Sequence, residues 1–171
     1  MKVLVNRKVI DGPWGGGNNF VAALCDGLKK SGHQVVHTLE SDIDCFFVVD
    51  PRPDGDCPGI ADFLQQRHQG SILDKKVIQR INECDARKNT EHMDPMLLHC
   101  SGFIDKTIFV SEWMQNYFLQ KGWKCKDYTF IHNGVDGDVF TPGSRQKGRL
   151  KSVVAHHWSN NIMKALMHTS F

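Results

Sequence analysis

Four stretches of this chain hold residues whose types and spacing suit the binding of an anion or a sugar. Gly15-Gly16-Gly17-Asn18 stands directly ahead of an apolar pattern with helical spacing. Adjacent glycines permit positive φ and let backbone approach a ligand closely, and a helix N-terminus presents free N–H groups to phosphate or hydroxyl. Arg80, Asn82, Glu83, Asp85, Arg87 and Lys88 crowd polar groups together just after an apolar run. Guanidinium, amide and ammonium groups of this kind grip phosphates or sugar hydroxyls. Ser111-Glu112 and His132-Asn133-Gly134-Val135-Asp136 each follow an apolar run as well. The bland readings are a strand-to-helix turn, a solvated loop with local salt bridges, a helix cap at Ser111 and a plain turn at Asn133-Gly134. Asp85 and Glu83 are the carboxylates placed to accept a hydroxyl proton, although no general base is assigned.

Other chemistries lack their signatures. The glycine loop has no third glycine at the spacing of a dinucleotide fingerprint, so Glu40 as a ribose ligand stands alone. Three Asp-x-Asp strings occur, at Asp42–Asp44, Asp54–Asp56 and Asp136–Asp138, and such short strings arise by chance. His156 and His157 are adjacent, and in a strand they point to opposite faces, so they make a poor metal pair. No His-Glu-x-x-His, Gly-x-Ser-x-Gly or Walker loop is present. The six cysteines are irregularly spaced, without a Cys-x-x-Cys pair, and read as reduced thiols, with Cys25 and Cys45 as small core residues. No metal and no cofactor are expected.

These residues need a scaffold, and the periodicity supplies one. Strands are predicted at Val3–Val5, Gln34–His37, Cys45–Val49, Lys76–Ile81, Thr107–Val110 and Thr129–Ile131. Helices are predicted from Phe20 to a stop at Gly32, from Ile60 to Gly70, from an N-cap Asp94 with Pro95 at the first position, and from the Ser111 cap to Gly122. The fold class is therefore α/β: a Rossmann-like, doubly wound parallel sheet of about six strands. In such sheets ligands bind beyond the carboxyl ends of the strands, where strand order reverses, which selects Gly15–Asn19, Asp50–Arg52, Arg80–Lys88, Ser111–Glu112 and Asn133–Asp138. In the common order, strands one and four are neighbours, and the glycine loop faces Arg80–Lys88. Gly143–Lys151 is polar and basic and reads as a linker, and Val153-Val154-Ala155 as the first strand of something new. The expected division is a domain over 1–145 and a stub over 146–171.

Size and charge narrow the classes. A chain of 171 residues, 40% hydrophobic and 23% charged, can bury a real core. Twenty-one Lys and Arg against 19 Asp and Glu leave a formal charge of +2, which gives no case for nucleic acid. No apolar run is long enough to span a bilayer, and Met1-Lys2-Val3-Leu4-Val5 begins a strand rather than a signal peptide. The expected compartment is the cytoplasm.

With these segments in view, the chain resembles the retaining glycosyltransferases of family 4, also called group 1. Four segments match in order over residues 2 to 142. They are Gly15-Gly16-Gly17-Asn18-Asn19-Phe20 with its helix, and Lys30-Ser31-Gly32-His33-Gln34-Val35. Then come Phe109-Val110-Ser111-Glu112-Trp113-Met114, and Ile131-His132-Asn133-Gly134-Val135-Asp136 followed by Phe140 and Pro142. The last string is the most specific. Arg80 through Lys88 looks like a subgroup signature, and Val153–Ser159 like the opening of a second domain.

The resemblance implies two facing Rossmann-like halves (the GT-B arrangement) with the active site between them. The first half mainly binds the acceptor, and the second mainly holds the nucleotide-sugar donor through a Glu-x7-Glu motif, without metal. No Glu follows residue 112, so that motif is absent here. The expectation is a transferase fragment, truncated shortly after its second domain begins and inactive alone. It would supply Gly15, Gly16, Gly17 and Asn18 toward donor phosphates or sugar, and Arg80, Asn82, Arg87, Ser111, Asn133 and Gly134 as further binding groups. The alternative is a stand-alone domain that binds carbohydrate or assembles with a partner, without catalysis. A nicotinamide-dependent oxidoreductase is a third reading, disfavoured by the missing glycine.

Overall fold

A strand buried on both faces must lie inside a covered sheet, and Cys45–Val48 is such a strand, with all four residues buried. The computed structural model describes residues 1–12, 15–70 and 74–143. In chain order its elements are β1 (Lys2–Val5), α1 (Gly16–Lys30), β2 (Gln34–Val36), β3 (Cys45–Val48), α2 (Ile60–His68) and β4 (Lys76–Ile81). These are followed by α3 (Asp85–Lys88), α4 (Met93–Cys100), a 3-10 turn (Ser101–Phe103), β5 (Lys106–Phe109), α5 (Glu112–Gln120) and β6 (Tyr128–Phe130). All six strands are parallel and form one sheet in the order β2-β1-β3-β4-β5-β6.

Helices cover both faces, so the fold is Rossmann-like and doubly wound. On one face Leu4, Phe46, Val48, Val77, Ile81 and Phe109 pack against Ile60 and Phe63 of α2, Leu97 of α4, and Met114 and Phe118 of α5. On the other, Val3, Val5, Phe47, Ile78 and Ile108 join Val21 and Cys25 of α1. Residues alternate between these layers along β4, which puts Arg80 on the α1 side with Ile78.

Three expectations need correction. Strands one and four are not neighbours: β3 lies between them, and order reverses between β1 and β3. The chain crosses once to β2, returns past β1, and then adds each later strand beside its predecessor. The start of α4 is also displaced, because His92 is its N-cap and makes no side-chain bond, while Asp94 and Pro95 lie inside the first turn. Pro95 is still tolerated there, since N–H groups of the first turn have no partner within the helix. Finally, the turn expected at Asn133-Gly134 stands at Gly137–Val139 instead. There the Asp136 carboxylate accepts from the Asp138 N–H at 2.9 Å and the Asp136 carbonyl from the Phe140 N–H at 2.8 Å.

Loop endings follow backbone chemistry. Gly32, Gly70 and Gly122, just past α1, α2 and α5, adopt φ of 79°, 89° and 88°. The chain divides into two units, Met1–Ile131 and His132–Phe171. The expected boundary at 145/146, most of the linker and the strand at Val153–Ala155 lie outside the described residues.

Candidate functional site

The loop after β1 leads into α1 through glycine, and that fixes what the helix offers. Gly15 is the N-cap and has no side chain to close the turn, while Gly16 and Gly17 form the first helical positions. None of the three has positive φ; that conformation falls to Gly12, at 116°. Their use is therefore space rather than backbone freedom. A Cβ on any of them would meet nothing within 4 Å, and all three glycines are exposed. The first turn carries no acidic residue, and the last carries Lys29 and Lys30, as the helix dipole favours.

Asn18 does not face this opening as a free group. Its carboxamide pairs with Ile10 twice, accepting from the Ile10 N–H at 2.8 Å and donating to the Ile10 carbonyl at 3.0 Å. It ties the β1–α1 loop down beside the helix start. Asn6 does the same at the switch point. It is fully buried, accepts from the Val49 N–H at 2.8 Å, and donates to the carbonyls of Asp50 at 2.6 Å and Pro58 at 3.1 Å. The loop after β3 is thereby fixed to the end of β1. Gly59 closes that loop so tightly that a Cβ would lie 2.8 Å from the Pro51 carbonyl oxygen. Asp50 completes it: burial pushes its carboxyl up, but the Arg52 guanidinium and N–H, with Arg7 behind, hold it below its ordinary value.

Arg80 reaches this same end from β4. Only 6% exposed, its guanidinium lies 3.8 Å from the centroid of the Phe20 ring, and Phe20 in turn leans on Phe47 of β3 at 6.3 Å. A cation over an aromatic face is attracted by the ring quadrupole. Phe20 belongs to the second turn of α1, so a buried cation stands about one turn from the glycine opening. Burial pulls the Arg80 guanidinium below its ordinary value, but an arginine keeps its charge at neutral pH.

The rest of the polar cluster turns inward on itself. Glu83 pairs with Lys88 at 3.1 Å, and Arg87 donates to the Asn82 carbonyl at 3.2 Å. Asp85, buried on the opposite face from Arg80, accepts from the Thr90 hydroxyl and from the N–H groups of Met93 at 3.0 Å and Asp94 at 2.8 Å. It is the missing cap of α4, supplied from a distance. Asp94 returns the favour, accepting from the Asp85 N–H at 2.9 Å. Its other oxygen takes the Tyr117 hydroxyl and the Lys121 ammonium, the latter at 3.0 Å. Burial pushes the Asp85 carboxyl up, but Thr90 and the two N–H groups outweigh it and hold it below its ordinary value. Both oxygens being engaged in capping, Asp85 is placed as a structural group. Ser111 is the N-cap of α5 and accepts from the Met114 N–H at 3.1 Å.

Asn133 and Gly134 fall in the second unit and are exposed. Of the Asp-x-Asp strings, Asp42 bonds Lys2 at 2.7 Å, Asp54 and Asp56 face Arg7 and Lys8, and Asp136 shapes its own turn. Sequence reasoning missed Asn6 and Tyr117, and took Asp94 only as a helix cap. The signal for Asn6 was a lone amide directly after an apolar strand; for Tyr117 and the wider role of Asp94 none existed, since their partners lie far away in the chain. No helix among the described residues is long and apolar enough to cross a membrane. The chain matches no family model, no curated protein and no solved structure.

Proposed function

We propose that this chain is the acceptor-side half of a retaining nucleotide-sugar transferase, and that the opening at α1 receives the phosphates of the donor. The observation that carries this reading is a glycine-lined helix start at the switch point of a parallel sheet, with a buried arginine of β4 lying over Phe20 of the same helix. Helix N–H groups and a guanidinium favour the same ligand, a phosphate, and their combination is the usual chemistry of diphosphate recognition. The order of the four family-like segments supports a transferase over other phosphate binders. In this reading a second half supplies the donor pocket, and the sugar is transferred to a hydroxyl with retention. Catalysis in this reading needs both halves. Its six unpaired thiols suit the cytoplasm.

The test is a titration of the isotopically labelled chain with inorganic pyrophosphate, UDP and NAD, followed by amide resonances. Saturable shifts at Gly16 and Gly17 with pyrophosphate and UDP, abolished in Arg80→Met, are the expected result. No shift with either phosphate probe would overturn the reading. Tighter binding of NAD than of UDP would favour an oxidoreductase instead.

A further inference from the structure

Phe20 lies in the second turn of α1, half-buried against the sheet. Its ring meets two strands. It leans on Phe47 of β3 at 6.3 Å, and the Arg80 guanidinium of β4 lies 3.8 Å from its centre. Strand order reverses between β1 and β3, so β4 stands one strand beyond the switch point. The ring therefore joins a cation of β4 to the helix that starts at the switch point.

The kind of partner matters for a cation that is to meet an anion. A carboxylate neutralises a guanidinium and takes up its N–H groups, as Asp50 does for Arg52 with bonds at 3.0 and 2.7 Å. A ring does neither. It attracts the cation through its quadrupole and accepts none of the directional bonds that a carboxylate takes. Lys121 shows a mixed arrangement in the same molecule, with its ammonium 4.7 Å from the Tyr117 ring centre and 3.0 Å from the Asp94 carboxylate. Compensation of some kind is needed at Arg80, which is 6% exposed and whose guanidinium burial pulls below its ordinary value. The ring supplies attraction to the charge and a fixed place beside α1.

We propose that Phe20 is a positioning residue for the phosphate site: its ring holds the Arg80 guanidinium beside the first turns of α1 without drawing on its charge or its N–H donors. The inference rests on the phosphate reading of that site. In the full labelled chain, Phe20 is replaced by mono-, di- and trifluorinated phenylalanine and by Leu, and each protein is titrated with inorganic pyrophosphate. Fluorine drains the ring quadrupole and scarcely alters its shape, so a ring that serves only packing would give one affinity across the series. The expected result is an affinity that falls stepwise with each fluorine, to about fivefold below the parent in Phe20→Leu, the worth of one cation–π contact. Without ligand, the Arg80 side-chain protons should lie upfield in the parent through the ring current, and move back in Phe20→Leu. A flat fluorine series on a parent that binds pyrophosphate overturns the proposal and leaves the phosphate reading in place. A parent that does not bind pyrophosphate overturns both. Arg80 signals unmoved by Phe20→Leu would show that ring and guanidinium do not meet, and would overturn the proposal whatever the affinities.

Discussion

The two faces of the sheet treat buried charge in opposite ways. On the α3–α4 side, Asp85 and Asp94 are each met by backbone N–H groups and side-chain donors, and each caps the other's helix. On the α1 side, Arg80 lies against an aromatic ring next to a helix start that has no side-chain cap and no acidic residue. A buried charge enclosed by complete hydrogen bonds holds the fold together. The buried charge of Arg80 lies instead against an aromatic ring, at the end of the sheet where parallel topology puts ligands. The contrast separates residues that looked equivalent in one polar stretch between Arg80 and Lys88.

The sharpest way to break this comparison is to remove one member of the carboxylate pair. Asp94→Ala leaves the Asp85 N–H, the Tyr117 hydroxyl and Lys121 without their acceptor, and should cost about 3 kcal/mol in urea denaturation. A cost near zero would show that the reciprocal caps are ornament. Arg80→Met should behave in the opposite sense, with stability changed by about 1 kcal/mol or less while pyrophosphate binding at Gly16 and Gly17 is lost. A strongly destabilised Arg80→Met protein would make Arg80 structural and erase the distinction.

A smaller effect sharpens the carboxylate side through pH. Asp85 is held below its ordinary value of 3.8 in the folded chain. Its contribution to stability is therefore complete above that value, and disappears as the pH falls through the lower folded-state value. Thr90→Val removes the hydroxyl that helps hold it there. Its destabilisation should be larger at about pH 6 than at a pH below the folded-state value of Asp85, where the carboxyl is protonated in both proteins. An equal loss at the two values would assign the effect of Thr90 to packing.

Much of the scaffold was legible in the sequence, because strands and helices here announce themselves locally. Lys76–Ile81 is found with the predicted bounds, Ser111 caps α5 as expected, and Gly122 ends it with positive φ. Strand order was not legible, since periodicity marks a strand without naming its neighbour. The start of α4 was misplaced for a related reason: the sequence shows only the caps a helix carries itself, whereas this one borrows Asp85. At the site, the glycines and Arg80 were chosen by residue type, and the structure brings them to one end of the sheet. Asn18 was chosen in the same way and is instead a clamp on Ile10. Side-chain direction made the difference between them, and no spacing rule fixes it for a residue in a loop or a first helical turn.

The Asn6 amide has a consequence in time as well as in space. Its acceptors lie 44 and 52 residues further along the chain. Such distant partners meet only after β3 has paired and the following loop has closed, and the entropy of that closure comes late in folding. The switch-point loops should thus be among the last parts of the molecule to set and the first to open. Asn6→Ala should speed unfolding while leaving the folding rate nearly untouched, and a slowed folding limb would place the clamp in the nucleus instead.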